Sequence, residues 1–416
     1  MNPFRPISNF LSPNLEKDDV LLVFKILLQP WLWRKGEGIG KIEKKFKDYL
    51  GVRHAFSFNS GRSSLIAILK SINIKRGDEI ICQAFTCNAV VNPILWQEAN
   101  PVFVDIDKNL NLDPKELEKK ITRNSKAVIV QHTFGFPAEI DEIRNVCKKH
   151  NLFLIEDCAH ALGARYNGGL IGTFGDVAFF SLGRDKIISS VYGGIATTNN
   201  EKVAQKLGEN QESLPLPSLG WILQQILHPI SFSMLLPVYS FLGIGKGLLY
   251  VKQKLGLLSS SVSLGEKGGV KPSYFPQRLP NSLALLAIHQ FSKLEKFNEH
   301  RRILAHVYER KLKGKIELPL VKDYQDRRAT FLRYPVLVKN PEIIIKESKK
   351  ENIYLDDGWR KSVVVPPDTS LSKMRYLKGT CPRAEYIAHH ILNLPTAINT
   401  SKTEAERVVD LILRFK

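Results

Sequence analysis

The sequence predicts an α/β fold: a mostly parallel sheet covered by helices, followed by a smaller C-terminal α+β unit. Three observations carry this reading. Short apolar runs, each the length of a buried strand, alternate with segments whose apolar residues recur at the helical period. The runs are mostly apolar at successive positions, as suits strands covered on both faces. After residue 270 that order gives way to a long helical stretch and then to mixed pieces.

Residues 36–54 read as an opening helix, with Ile39, Ile42, Phe46 and Leu50 on one face. The alternation follows. Strands are expected at 55–58, 79–82, 102–105, 127–130, 152–155, 177–181 and 194–198. Helices are expected between them at 63–72, 86–98, 113–121 and 138–150. Pro114 suits the first turn of its helix, whereas Pro93 interrupts 86–98. Residues 259–269 are Ser- and Gly-rich and read as a mobile loop. A single long helix is expected from Asn281 to about Lys313, with Leu285, Ile288, Phe291, Leu294 and Phe297 in phase. The division that results is an apolar arm over 1–35, a large domain over 36–212, an apolar insertion with its loop over 213–270, and a small domain over 271–416.

Composition narrows the function classes. The 416 residues carry 60 Lys+Arg against 41 Asp+Glu, a net charge of +19. That excess suits an acidic partner: nucleic acid, anionic lipid or a phosphorylated substrate. No recognition-helix motif or aromatic-interleaved basic patch points to nucleic acid. The cysteines at 82, 87, 147, 158 and 381 are scattered, without a C-x-x-C pair. This argues against a zinc ribbon or a disulfide framework and for a reducing, cytoplasmic setting. No metal ligand set is expected. The N-terminus lacks a secretory pattern.

One stretch resists the soluble reading. Ser213–Gly245 contains no Asp, Glu, Lys or Arg, and Leu219–Val251 is strongly apolar. Val20–Trp33 is a second apolar piece. A helical hairpin packed in the protein or between subunits, a peripheral contact with the inner membrane face, and a spanning helix all fit; Pro229 and Pro237 argue against the last.

In open α/β sheets, ligands sit beyond the carboxyl ends of the strands. Three such ends carry chemistry. Asn59-Ser60-Gly61-Arg62-Ser63 opens a helix, where free N–H groups and the helix dipole favour phosphate. Asp157 and His160 follow another strand. Ser181 and Lys186 follow a third. Singly, each has a structural explanation: a helix cap, a core histidine, a surface lysine. Together, an anion cradle, an acid and a lysine are the parts of a pyridoxal 5'-phosphate site.

The stretch EDCAHALGARYNGGLIGTFGDVAFFSLGRDK, with QHTFGFPAEIDEI before it and YGGIATTNN after it, resembles the DegT/StrS-type sugar aminotransferases, a branch of the fold-type I pyridoxal phosphate transferases. The resemblance runs from about Gly36 to the C-terminus, broken at 213–270. It implies a seven-stranded, mostly parallel sheet and a homodimer with active sites at the subunit interface. It places Lys186 on the Schiff-base lysine, Asp157 on the ring-nitrogen carboxylate, His160 beside the phenolic oxygen and Ser181 on the phosphate. Gly61, Arg62 and Ser63 fall on the phosphate turn, and Phe85 and Cys87 near the ring. Arg278 is a candidate substrate contact or a structural ion-pair residue, and Tyr354 and Trp359 are candidate substrate contacts within a polar-aromatic cluster that includes Asp356, Asp357 and Arg360. The activity implied is transfer of an amino group from an amino acid such as glutamate to a nucleotide-linked keto sugar, for surface polysaccharide or other glycan precursors.

Three positions depart from the pattern. Arg62 stands where many members have Thr, Cys87 where many have an aromatic residue, and Pro276 where many have an Asn supplied by the second subunit. Arg62 is expected to replace the lost phosphate contacts. A sugar dehydratase is disfavoured, since that branch replaces the lysine with His. A regulatory pyridoxal-binding protein at a membrane surface remains as an alternative.

Overall fold

A computed structural model describes residues 4–319 and 326–415. Its centre is a seven-stranded sheet: β1 His54–Phe58, β2 Glu79–Gln83, β3 Asn100–Val104, β4 Ser125–Gln131, β5 Phe153–Asp157, β6 Val177–Ser181 and β7 Gly194–Thr198. The spatial order is β1-β7-β6-β5-β4-β2-β3. All neighbouring pairs from β6 to β3 are parallel, and β7 runs antiparallel to both β6 and β1.

Strand alternation builds two cores. Ile80, Cys82, Ala127, Ile129, Val177 and Phe179 point into one apolar cluster. Their neighbours Ile81, Val128, Val130, Ala178 and Phe180 point into the other. Successive side chains on a strand face opposite ways, so a strand buried on both sides is largely apolar at positions of either parity.

The covering helices include α1 Lys17–Leu27, α2 Gly38–Leu50, α3 Gly61–Ser71, α4 Asn88–Trp96, α5 Pro114–Lys119, α6 Ile140–Lys149 and α7 Glu201–Ser213. Ser60 caps α3 by accepting the N–H of Ser63 at 3.0 Å. Pro93 lies inside α4 rather than ending it. The apolar insertion is a helical hairpin, α8 Leu219–Leu235 and α9 Ile244–Lys254. The segment Leu219–Val238 is long and apolar enough to cross a membrane by length and composition. In the structure, however, α8 packs along α1 and α9 and buries Ile222, Gln225, Ile226 and His228.

Two expectations about this half need correction. The 259–269 segment is not an open loop. It contains α10 Leu264–Lys267, started by a capping box in which Ser263 and Glu266 exchange hydrogen bonds. The expected long helix is two, α11 Asn281–Phe291 and α12 Leu294–Leu312. At the break, the Ser292 hydroxyl donates to the His289 carbonyl at 2.7 Å and competes with the helical ladder. The C-terminal part pairs β8 Tyr334–Leu337 with β9 Ile391–Leu394, antiparallel, under three helices.

Candidate active site

The carboxyl ends of β5 and β6 and the start of α3 meet at a cavity of about 430 Å³. Gly61, Arg62, Cys87, Asp157, His160, Ser181, Lys186 and Trp359 line it. So do several residues that sequence reasoning passed over, namely Phe10, Gln131, Arg184, Asp185 and Tyr192, together with Ser261 and Lys267 of the insertion.

The Lys186 amine lies 3.1 Å from His160 Nε2 and 3.7 Å from the Asp185 carboxylate. His160 Nδ1 accepts the Phe134 main-chain N–H at 3.3 Å, which assigns the ring proton to Nε2, on the cavity side. Burial, with the Lys186 and Arg333 charges nearby, holds the imidazole well below its ordinary value, so it is neutral at pH 7.

Asp157 is buried, and its Oδ1 accepts the Ala159 N–H at 3.0 Å. Burial pushes its carboxyl up to about 6, against the opposing pull of that hydrogen bond and of the Lys186 and His132 charges. Asp185 shares the burial but goes the other way, because Lys186, Arg333 and Arg184 together hold it below the usual range. The buried Arg333 bridges Asp185 at 3.1 Å and Asp357 at 2.7 Å. Trp359 packs edge-on against His160 with ring centres 4.9 Å apart.

The loop after β6 is held from behind by the N-terminal arm. Asn14 donates to the main-chain oxygens of Lys186 and, at 3.2 Å, of Ile187. Arg301 in turn bonds Asn14 at 2.6 Å and the Ile187 carbonyl at 2.9 Å. The arm was read only as apolar, and this polar anchor left no periodic signal.

The anion cradle is formed by close approach. A Cβ on Gly61 would sit 3.1 Å from Ser181 Cβ, and one on Gly194 would sit 2.3 Å from the Ser60 main chain. Only glycine lets β7 and Ser181 come this near to the first turn of α3, whose leading N–H groups have no partner within the helix. A lysine amine, a buried carboxylate and a dehydrated helix start around one cavity fit pyridoxal phosphate.

Not every expected residue reaches the cavity. Phe85 is fully buried behind the wall, against Phe134 and Trp359. Ser63 spends its hydroxyl on Asn59 and Ser60. Arg278 lies in a main-chain bridge to Phe58, and Tyr354 pairs with Ser8 and meets Tyr239 edge-on. Arg360 turns away to Glu342.

Arg62 corrects a further expectation. It lines the cavity, but its two terminal guanidinium nitrogens bind Glu266 and the Ser261 carbonyl, and its plane lies 4.5 Å from the centre of the Phe275 ring. Arg184 donates to Ser259 Oγ at 2.7 Å, and the Tyr192 hydroxyl to the Ser260 carbonyl at 2.7 Å. These groups clamp the end of the insertion across the cavity. Arg62→Ala leaves the Glu266 carboxylate buried without its partner and is expected to cost about 3–5 kcal/mol in denaturant unfolding. Adding Glu266→Gln should recover much of that loss.

The pattern of the DegT/DnrJ/EryC1/StrS aminotransferase family matches residues 13–212 and 264–413. The chain belongs to this family. Its enzyme class is therefore that of the pyridoxal-phosphate-dependent sugar aminotransferases. The gap in the match, 213–263, is the apolar insertion. An uncharacterized protein of Methanocaldococcus jannaschii is 32% identical over all of this chain and 96% of its own. The dTDP-3-amino-3,6-dideoxy-alpha-D-galactopyranose transaminase of Aneurinibacillus thermoaerophilus is 28% identical over 100% and 99%. The GDP-perosamine synthase of Caulobacter vibrioides is 37% identical, over about half of each chain (49% and 55%). Among solved structures, the Helicobacter pylori aminotransferase PseC, involved in pseudoaminic acid biosynthesis, superposes with a TM-score of 0.75 at 22% identity, covering 98% of both chains.

Proposed function

We propose that this aminotransferase moves an amino group from an amino acid, glutamate in the first instance, to a keto sugar carried on a nucleoside diphosphate, in the making of a surface polysaccharide or similar glycan precursor. The observation that carries the reading is one cavity holding the Lys186 amine, the buried Asp157 carboxylate and the start of α3. The full-length likeness to a dTDP-amino-sugar transaminase supports the substrate class.

Pyridoxal phosphate, when bound, supplies an electron sink for charge developing on the carbon that gains or loses nitrogen. Asp157 would face the ring nitrogen and keep it protonated, by the attraction of opposite charges. The first turn of α3, with the Ser181 hydroxyl, would hold the phosphate. His160 would donate its Nε2–H to the phenolic oxygen. Lys186 would anchor the cofactor and, once released, carry a proton on Nζ to and from the substrate carbon. Trp359, packed on His160, excludes water from that side of the cavity. A homodimer with the cavity at the subunit boundary belongs to the same reading.

The donor half is open to a simple test. The purified holoprotein should be yellow, and glutamate alone should bleach it. A coloured protein that ignores every amino donor would contradict the proposal and favour a regulatory role.

A further inference from the structure

The insertion that interrupts the family match builds, together with α1 of the N-terminal arm, an outward apolar face. Leu21 and Phe24 on α1, with Leu28 at its C-terminal end, form one exposed stripe beside Lys25. On α8, Leu219, Leu223 and Met234 are exposed in phase, with Leu227 and Ile230 half-buried between them. On α9 the stripe is Ile244, Leu248 and Val251, continued by Leu255 at its C-terminal end. The helices lie against one another in pairs, α1 on α8 and α8 on α9. At the hairpin tip, Leu242 is 86% exposed, and Trp31 beside α1 is 72% exposed. Exposed apolar side chains concentrated on neighbouring helices are what an interaction site presents.

Charge decides the partner. From Ser213 to Gly265 there is no Asp or Glu, and the charged residues there are Lys246, Lys252 and Lys254. Lys25, Arg34 and Lys35 add to this basic flank. The acids at the start of α1 are already answered, since Glu16, Asp18 and Asp19 pair with His289, Lys293 and Lys296. A second copy seated on the same patch would bring like charges together without a carboxylate from the insertion to meet them. An anionic bilayer meets both features: acyl chains for the leucine stripes and headgroups for the lysines.

We propose that α1, α8 and α9 seat this enzyme peripherally on an anionic lipid surface. A side groove of about 300 Å³ lined by Phe232, Tyr239, Lys246 and Leu258 shares Phe10, Arg184 and Ser261 with the catalytic cavity. The seated face and the active site are therefore neighbours.

The test is flotation of the full-length holoenzyme with vesicles of phosphatidylcholine alone or mixed with phosphatidylglycerol. Wild type should float with the mixed vesicles, and less so at high salt. L242S/L248S/L255S should bind about tenfold more weakly. K25Q/K254Q should lose the preference for anionic lipid. Both variants should keep the wild-type melting temperature and transaminase rate, since none of these residues lines the cavity. Equal flotation of wild type and the leucine variant overturns the proposal. So does a leucine variant that changes only the oligomeric state in sedimentation, which would assign the face to a second copy. Wild type that floats with neither vesicle overturns it as well.

Discussion

Replacing Lys186 by alanine should lower the rate of amino transfer by about 10,000-fold, or ~5 kcal/mol in the barrier. No other lining residue can take over. The second cavity lysine, Lys267, is paired with Asp368. Lys186 has what the chemistry asks of it: an amine 3.1 Å from a neutral histidine, on a loop whose carbonyl Asn14 holds from behind. Lys186→Arg should fail as badly. It keeps the positive charge but offers no amine that can form and release a covalent link at neutral pH. Steady-state kinetics checks both variants, with mass spectrometry of the borohydride-reduced protein to show that wild type carries the cofactor covalently and the variants do not. Lys186→Arg activity within tenfold of wild type would assign the residue an electrostatic role only.

Asp157→Asn should act in two opposite directions. In the cofactor-free protein, burial raises this carboxyl to about 6 from an ordinary 3.8. Between those values the folded protein binds a proton that the unfolded chain has released. Stability from this group therefore falls as pH rises from about 4 to 6, and the loss is complete above it. Asparagine removes that cost. The cofactor-free variant should be more stable than wild type by up to about 3 kcal/mol at pH 7, and by nothing at pH 4. Catalysis moves the other way, because a neutral amide cannot hold a ring nitrogen protonated, and the rate should drop by about 1,000-fold. Denaturant melts at the two pH values, beside kinetics at saturating cofactor, check both halves. A variant destabilised at pH 7 would show that Asp157 is held as a structural carboxylate instead.

Much of this was legible because strand ends announce themselves. Val177–Ser181 and Gly194–Thr198 match their expected bounds to the residue, since each is a short, mostly apolar run set off by turn residues. Lys186, Asp157, His160 and Ser181 follow from those ends and do meet at one cavity. The misses have a common cause. Phe85 and Tyr354 are near the site in sequence or by likeness, but direction is set by packing: Phe85 is turned behind Trp359, and Tyr354 is claimed by a short strand pairing with Ser8. Arg333, Asn14 and Arg301 come from distant segments, and a pairing such as Arg301 with Asn14 leaves no trace in either local pattern. Arg62 was read for its charge, and the charge is real. Its partner, Glu266, lay in a stretch whose composition suggested a free loop, and only the fold shows the pair to be buried. The insertion was recognised as apolar, but composition could not tell which of its sides faces protein.

Transfer of labelled nitrogen would show amino transfer to a nucleotide-linked keto sugar without an intermediary assay. The holoenzyme is incubated with glutamate carrying heavy nitrogen and a panel of nucleoside-diphosphate keto sugars, and the sugar products are weighed by mass spectrometry. The account predicts one nucleotide sugar that gains an amino group bearing the label, with wild type but not with Lys186→Ala. Loss of water from the sugar without label, or no labelled sugar from a protein that glutamate still bleaches, would contradict it.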